Sequence, residues 1–115
     1  MTNSLVPKDL NELLGASDYL RLTILQVNKD LSSFTSESLD ESLDDPENIR
    51  IQLAEIISRL HEQNFSNLNG FVYRVDLNEK TYQKFLESND KSFLSREILK
   101  REVLKVYLKS QLSDK

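Results

Sequence analysis

The chain contains no cysteine, which excludes disulfides, thiolate nucleophiles and cysteine-held zinc. That absence also suits a reducing compartment. Only two prolines and two glycines interrupt the sequence, a scarcity that favours long helices because each residue costs propensity inside one. His61 is the single histidine, so no two-histidine zinc site can form within one chain. No apolar run approaches the roughly 18 residues of a transmembrane helix. Met1–Lys8 lacks the basic start and apolar run of a signal peptide. The expected setting is the cytoplasm.

What remains is ordinary in amount and regular in spacing. Of 115 residues, 38% are apolar and 30% charged, the range of a globular chain rather than a disordered one. Such a length suits one domain with a radius of gyration of roughly 14 Å. The net charge is -4, which repels a phosphate backbone over the molecule as a whole. Its distribution is uneven. Asp30–Glu47 carries seven acids and no base, whereas Lys91–Lys115 carries seven bases and three acids.

Apolar residues recur at three- and four-residue steps, which places them on one face of a helix. Residues 1–16 form an arm or short docking helix, with Pro7 opening a turn and Gly15 closing it. A bundle domain over 17–112 follows. Its first long helix, capped by Ser17 or Asp18, carries Leu20, Ile24, Val27, Leu31 and Phe34 on one stripe. Tyr19, Leu22, Thr23 and Leu25 widen that stripe, and Asn28, Lys29 and Asp30 supply the wet side. An acidic connection over 35–45 is long for a helix–helix loop, with Leu39 and Leu43 as its anchors. Asp45-Pro46 opens the second helix, bearing Ile49, Leu53, Ile56, Ile57 and Leu60, with Glu55 and Arg59 paired one turn apart outside.

Residues 66–77 fit either a helix or a short strand, and the helix is favoured because a strand has no evident partner. Asp76 to Glu79 resembles a capping box for the next short helix. Ser92 or Ser95 starts the last one, which carries Phe93, Leu94, Ile98, Leu99, Val103, Val106 and Tyr107. The expected fold is all-α: a small bundle of four principal helices with one or two short extra helical turns. Leu20, Ile24, Val27, Leu53, Ile56, Leu60, Ile98 and Val106 should fill its core.

Candidates for chemistry are sparse. His61-Glu62 begins like a zincin helix, but Phe65 stands where the second histidine belongs. Counting a calcium loop from Asp40 puts Asp45 where glycine is required and Ile51 where a bidentate glutamate is required. Tyr73, Arg74 and Asp76 cluster without a matched nucleophile and base. No catalytic residue, metal ligand or cofactor site is assigned, and the chain is read as a non-enzyme.

The last helix places Arg101, Lys105 and Lys109 one turn apart on one side, with Arg96 and Lys100 adjacent. This ridge is the candidate interaction surface, although cations near a helix C-terminus also complement its dipole. A small helical protein acting through protein contacts is the expected function, as an adaptor, accessory subunit or regulator. The apolar faces of the first and last helices look broader than one bundle requires, which adds a homodimer to the expected partners. A nucleic-acid regulator using the ridge is the alternative, and a ligand carrier or enzyme with a pocket invisible in sequence is a third. No membrane contact and no small-molecule substrate are indicated.

Overall fold

A computed structural model describes residues 10–113, which form six helices and, among those residues, no strand. These are α1 (Leu10–Gly15), α2 (Ser17–Leu31), α3 (Pro46–Gln63), α4 (Phe65–Val75), α5 (Glu79–Ser88) and α6 (Lys91–Ser113). The expected arm over 1–16 is thus partly helical, while the opening role given to Pro7 lies outside the described residues. The 23 residues of α6 reach roughly 35 Å, long enough for it to pack against each of the other five helices. That centrality explains its composition. A helix enclosed on several sides carries apolar residues around much of its circumference, and Leu94, Ile98, Leu99, Val103 and Val106 are all buried.

The core matches the apolar spacing closely. All eight residues expected inside are buried, and the radius of gyration is 14.0 Å. Residues 66–77 are helical through Val75, with Leu68, Phe71, Val72 and Val75 buried. No helix among the described residues is long and apolar enough to cross a membrane.

Helix ends depart from expectation more often than helix faces. Ala16, not Ser17 or Asp18, stands at the N-cap of α2, and no side chain caps it. At the other end α2 stops at Leu31, so Phe34 lies beyond the helix that was expected to contain it. Its ring packs instead onto Gly70 of α4, so closely that a Cβ on that glycine would stand 2.3 Å from a ring carbon. The guanidinium of Arg74 sits 6.0 Å from the same ring's centroid, within cation–π range.

Asp45 caps α3 as expected, its Oδ1 accepting from Glu47 N–H at 3.3 Å, with Pro46 in the first turn. Asn64 ends α3 and caps α4. Asp76 does not cap α5. It takes the left-handed conformation, with φ 66°, that closes α4, a conformation that Asp tolerates better than bulkier residues. Asn78 caps α5 by accepting from Lys80 and Thr81 N–H. Asp90, rather than Ser92 or Ser95, accepts from Phe93 N–H at 3.0 Å where α6 begins. Both serines face α3: Ser92 accepts from Arg50, and Ser95 donates to the Arg50 carbonyl at 2.7 Å.

The acidic connection is pinned rather than draped. Asn28 of α2 donates to the Leu39 carbonyl at 3.1 Å and accepts from Leu39 N–H at 2.7 Å, closing a two-bond clamp around a buried leucine. Gln52 accepts from Asp40 N–H at 2.8 Å. Arg59 reaches across to Glu37, 2.9 Å away, rather than pairing with Glu55 as helical spacing suggested. The tertiary pair wins because Glu37 offers both carboxylate oxygens to one guanidinium.

Leu53 and Leu22 give a direct test of these faces. Leu53→Ala should lower unfolding free energy by about 2–5 kcal/mol, because the side chain is fully enclosed. Leu22→Ala should change it by no more than about 0.5 kcal/mol, because that side chain is 45% exposed. Denaturant unfolding followed by circular dichroism measures both, and equal losses would mean the faces of α2 are misassigned.

Candidate interaction surface

The ridge of α6 turns inward as it passes α2. Arg96 is exposed and Lys100 pairs with Glu97 of its own helix at 3.2 Å. Arg101 donates to Asp76 at 2.8 Å, which ties α6 to the end of α4. Lys105 is committed more deeply. Its Nζ lies 2.9 Å from Asp30 Oδ2 on α2 and 2.9 Å from Glu102 Oε1 on α6, with the Val75 carbonyl at 3.5 Å. Lys109 donates to Gln26 Oε1 at 2.9 Å. Three of the five ridge cations therefore reach other helices, and the ridge offers less charge outward than its spacing suggested.

Two acids in this group escaped the sequence reading. Asp30, expected on the wet side of its helix, is 3% exposed, and Glu102 is fully buried. A signal was present in both helices. Glu102 follows Ile98 by four residues and Asp30 follows Val27 by three, so each stands where the apolar repeat calls for a core residue. A carboxylate at such a position needs a partner. Lys105 supplies it.

The two carboxyls differ in protonation. Burial and the hydrogen bond and charge of Asp30 push Glu102 up to about 8, against an opposing pull from Lys105. Burial works on Asp30 in the same direction, but hydrogen bonds from Glu102 and Lys105, with the ammonium charge, outweigh it and hold Asp30 below the usual carboxylate range. A protonated Glu102 donating to an ionised Asp30 accounts for both shifts. Burial draws the Lys105 ammonium down, yet its bonds to the two acids prevail and raise it.

Beside this cluster α2 and α6 leave an open groove of about 350 Å³, lined by Leu22, Leu25, Gln26, Lys29, Val106, Lys109 and Ser110. Leu22 and Leu25 were expected to widen the core stripe. They lie outside it, 45% and 38% exposed, whereas Tyr19 and Thr23 pack inward. Thr23 donates to the Tyr19 carbonyl at 2.6 Å, and Tyr19 donates to Ser110 at 3.3 Å. Gln26 links the groove to the buried cluster, since its amide nitrogen donates to Asp30 Oδ1 at 3.2 Å while its oxygen accepts from Lys109.

The remaining candidates are dispersed. His61 lies edge-on to Phe65 and Phe85, with ring centroids 5.5 and 5.3 Å away. Tyr73 is 88% exposed, Arg74 covers Phe34 and Asp76 meets Arg101, so these three share no site. Among the described residues no three His, Asp or Glu side chains are grouped to hold a metal ion. Comparison with protein families, curated proteins and solved structures gives no match.

The cluster makes stability depend on pH in a defined direction. Between about 4.5 and about 8 the folded chain holds a proton on Glu102 that the unfolded chain releases. Stability from this group is complete below that window and is lost as pH rises through it. Asp30 acts oppositely, its contribution disappearing only as pH falls below its ordinary value of 3.8. Denaturant midpoints should therefore fall between about pH 5 and about pH 8, and Glu102→Gln should flatten that slope. A slope unchanged by the substitution would place the proton elsewhere. Lys105→Met, which strips the acids of their cation, should cost on the order of 3 kcal/mol at neutral pH.

Proposed function

We propose that this domain works through protein contacts, as a non-enzymatic adaptor, accessory subunit or regulator in the cytoplasm, and that the α2–α6 groove is its contact surface. The observation that carries this reading is the pair Leu22 and Leu25, one turn apart on α2 and open to solvent. Other large apolar side chains exposed among the described residues stand singly or two turns apart: Ile51 on α3, Phe65 and Tyr73 on α4, Leu86 on α5 and Leu112 on α6. Scattered exposure of that kind is normal for any protein surface, whereas an apolar pair grouped beside a groove supports a contact there. The nucleic-acid alternative draws on the same ridge, and its support weakens where Arg101 and Lys105 are paired with Asp76, Asp30 and Glu102.

A photo-crosslinking residue at Leu25, expressed in the native cell, tests the reading. A defined protein adduct should form there, resist nuclease, and be missing when the same residue is placed at Gln83, exposed on α5. Nuclease-sensitive adducts would favour nucleic acid, and the absence of any adduct at Leu25 would overturn the proposal. Light scattering separates a self-contact from a foreign one, since a monomer has a mass of 13.4 kDa.

A further inference from the structure

The α2–α6 groove has a charge pattern as well as an apolar floor, and the pattern selects an occupant. Arg21 and Lys29 are exposed on α2 and bracket Leu22 and Leu25. The two cations stand eight residues apart, roughly 12 Å along the helix. Neither forms an ion pair among the described residues. Lys109, also exposed, adds a third cation on the opposite wall, where its ammonium group donates to Gln26. Among the described residues that line the groove and its far end, Asp18, beside Arg21, is the one acid. Asp30 lies beneath it, buried and matched by Lys105. In a chain of net charge -4, the described residues of this strip carry more cations than acids.

An apolar floor between cationic walls fits an amphipathic helix whose leucine-like side chains are flanked by carboxylates. We infer that the groove binds an acidic amphipathic helix of another protein, with two apolar side chains one turn apart seated on Leu22, Leu25 and Val106 and its acids facing Arg21, Lys29 and Lys109. The inference rests on the protein-contact reading above and adds the partner's chemistry. A second copy of this chain is a poorer occupant. Two-fold pairing through the groove places Arg21 and Lys29 against the same residues of the other copy, parallel or antiparallel, so cations meet cations. A basic partner meets the same repulsion.

The probes are two synthetic 16-residue helical peptides with identical leucine spacing, one with glutamate and one with lysine at the remaining exposed positions, titrated into the intact chain. The glutamate peptide should bind, with amide shifts concentrated at Leu22, Leu25, Gln26, Lys29, Val106 and Ser110. The lysine peptide should bind about tenfold more weakly or worse, a difference expected of complementary against like charge. Raising salt from about 0.05 to about 0.5 M should weaken the glutamate peptide several-fold, because exposed pairs are screened.

Two surface variants, checked for unchanged helicity, separate the contributions. Leu22→Ser with Leu25→Ser should remove binding. Arg21→Glu with Lys29→Glu should reverse the preference between the peptides. Equal affinity for both peptides, shifts confined to α3–α5, or no binding at about 1 mM, the weak limit of a specific contact, would each overturn the inference. So would a concentration-dependent dimer abolished by the serine variant, which would give the groove to a second copy. A foreign-protein adduct at Leu25 without glutamate-peptide binding would refute the acidic helix and leave the protein-contact reading standing. Peptide binding without any cellular adduct would overturn the protein-contact reading and, with it, the assignment of the groove to another protein's helix.

Discussion

The long helix α6 packs against five others, and it carries Glu102 in its buried stripe. The fold depends on how that carboxyl is accommodated. An ionised glutamate at full burial would cost several kcal/mol even after relaxation. Burial pushes its carboxyl up to about 8, which favours the protonated form at neutral pH, and Lys105 lies 2.9 Å from both Glu102 and Asp30. The interior thus holds one anion and one cation in place of two anions and a cation. Lys105 is the shared partner, since its removal would leave Asp30 buried without a cation.

This arrangement limits how α2 and α6 can sit together. Apolar stripes alone permit sliding, since leucine and valine faces recur every turn and a shift of about 5.4 Å restores similar contacts. The cluster does not repeat. A one-turn slip would part Asp30 from Lys105, leave an anion buried without a cation and separate Gln26 from Lys109. Polar pairs inside helical assemblies have this registering effect when their alternatives are unpaired charges. Val75, whose carbonyl faces Lys105, and Asp76, which meets Arg101, bring the end of α4 into the same register.

The spacing of Leu53, Ile56, Ile98 and Val106 made the core legible, because burial of one face is what produces a helical period. Asp45-Pro46 made the start of α3 legible, because its capping chemistry is local. Other ends were hidden. Asp76 and Asn78 are both competent caps, and the choice between them depended on Asp76 adopting a left-handed turn at the end of α4. Arg59 had a helical neighbour of the right sign, yet Glu37 arrives through the fold of the acidic connection. At the candidate site the lysines were visible as a ridge, but their direction was not. It follows from Asp30 and Glu102, whose type suggested solvent while their position in the repeat pointed to the core. Residue type and period disagreed, and the period prevailed because a partner existed.

The same conflict shapes the surface. Leu22 and Leu25 extend the apolar character of α2 beyond the sector that α6 can cover, so they line a groove rather than the core. Gln26 stands between the two environments, fixed on one side by Asp30 and on the other by Lys109. Its amide is therefore held at both ends, one of them in the buried cluster. A surface held in this way needs little reorganisation to receive a ligand, which reduces the entropic penalty that otherwise weakens small interfaces. The ion cluster and the groove are in this sense one device: the charges inside set the register, and the register sets the shape offered outside.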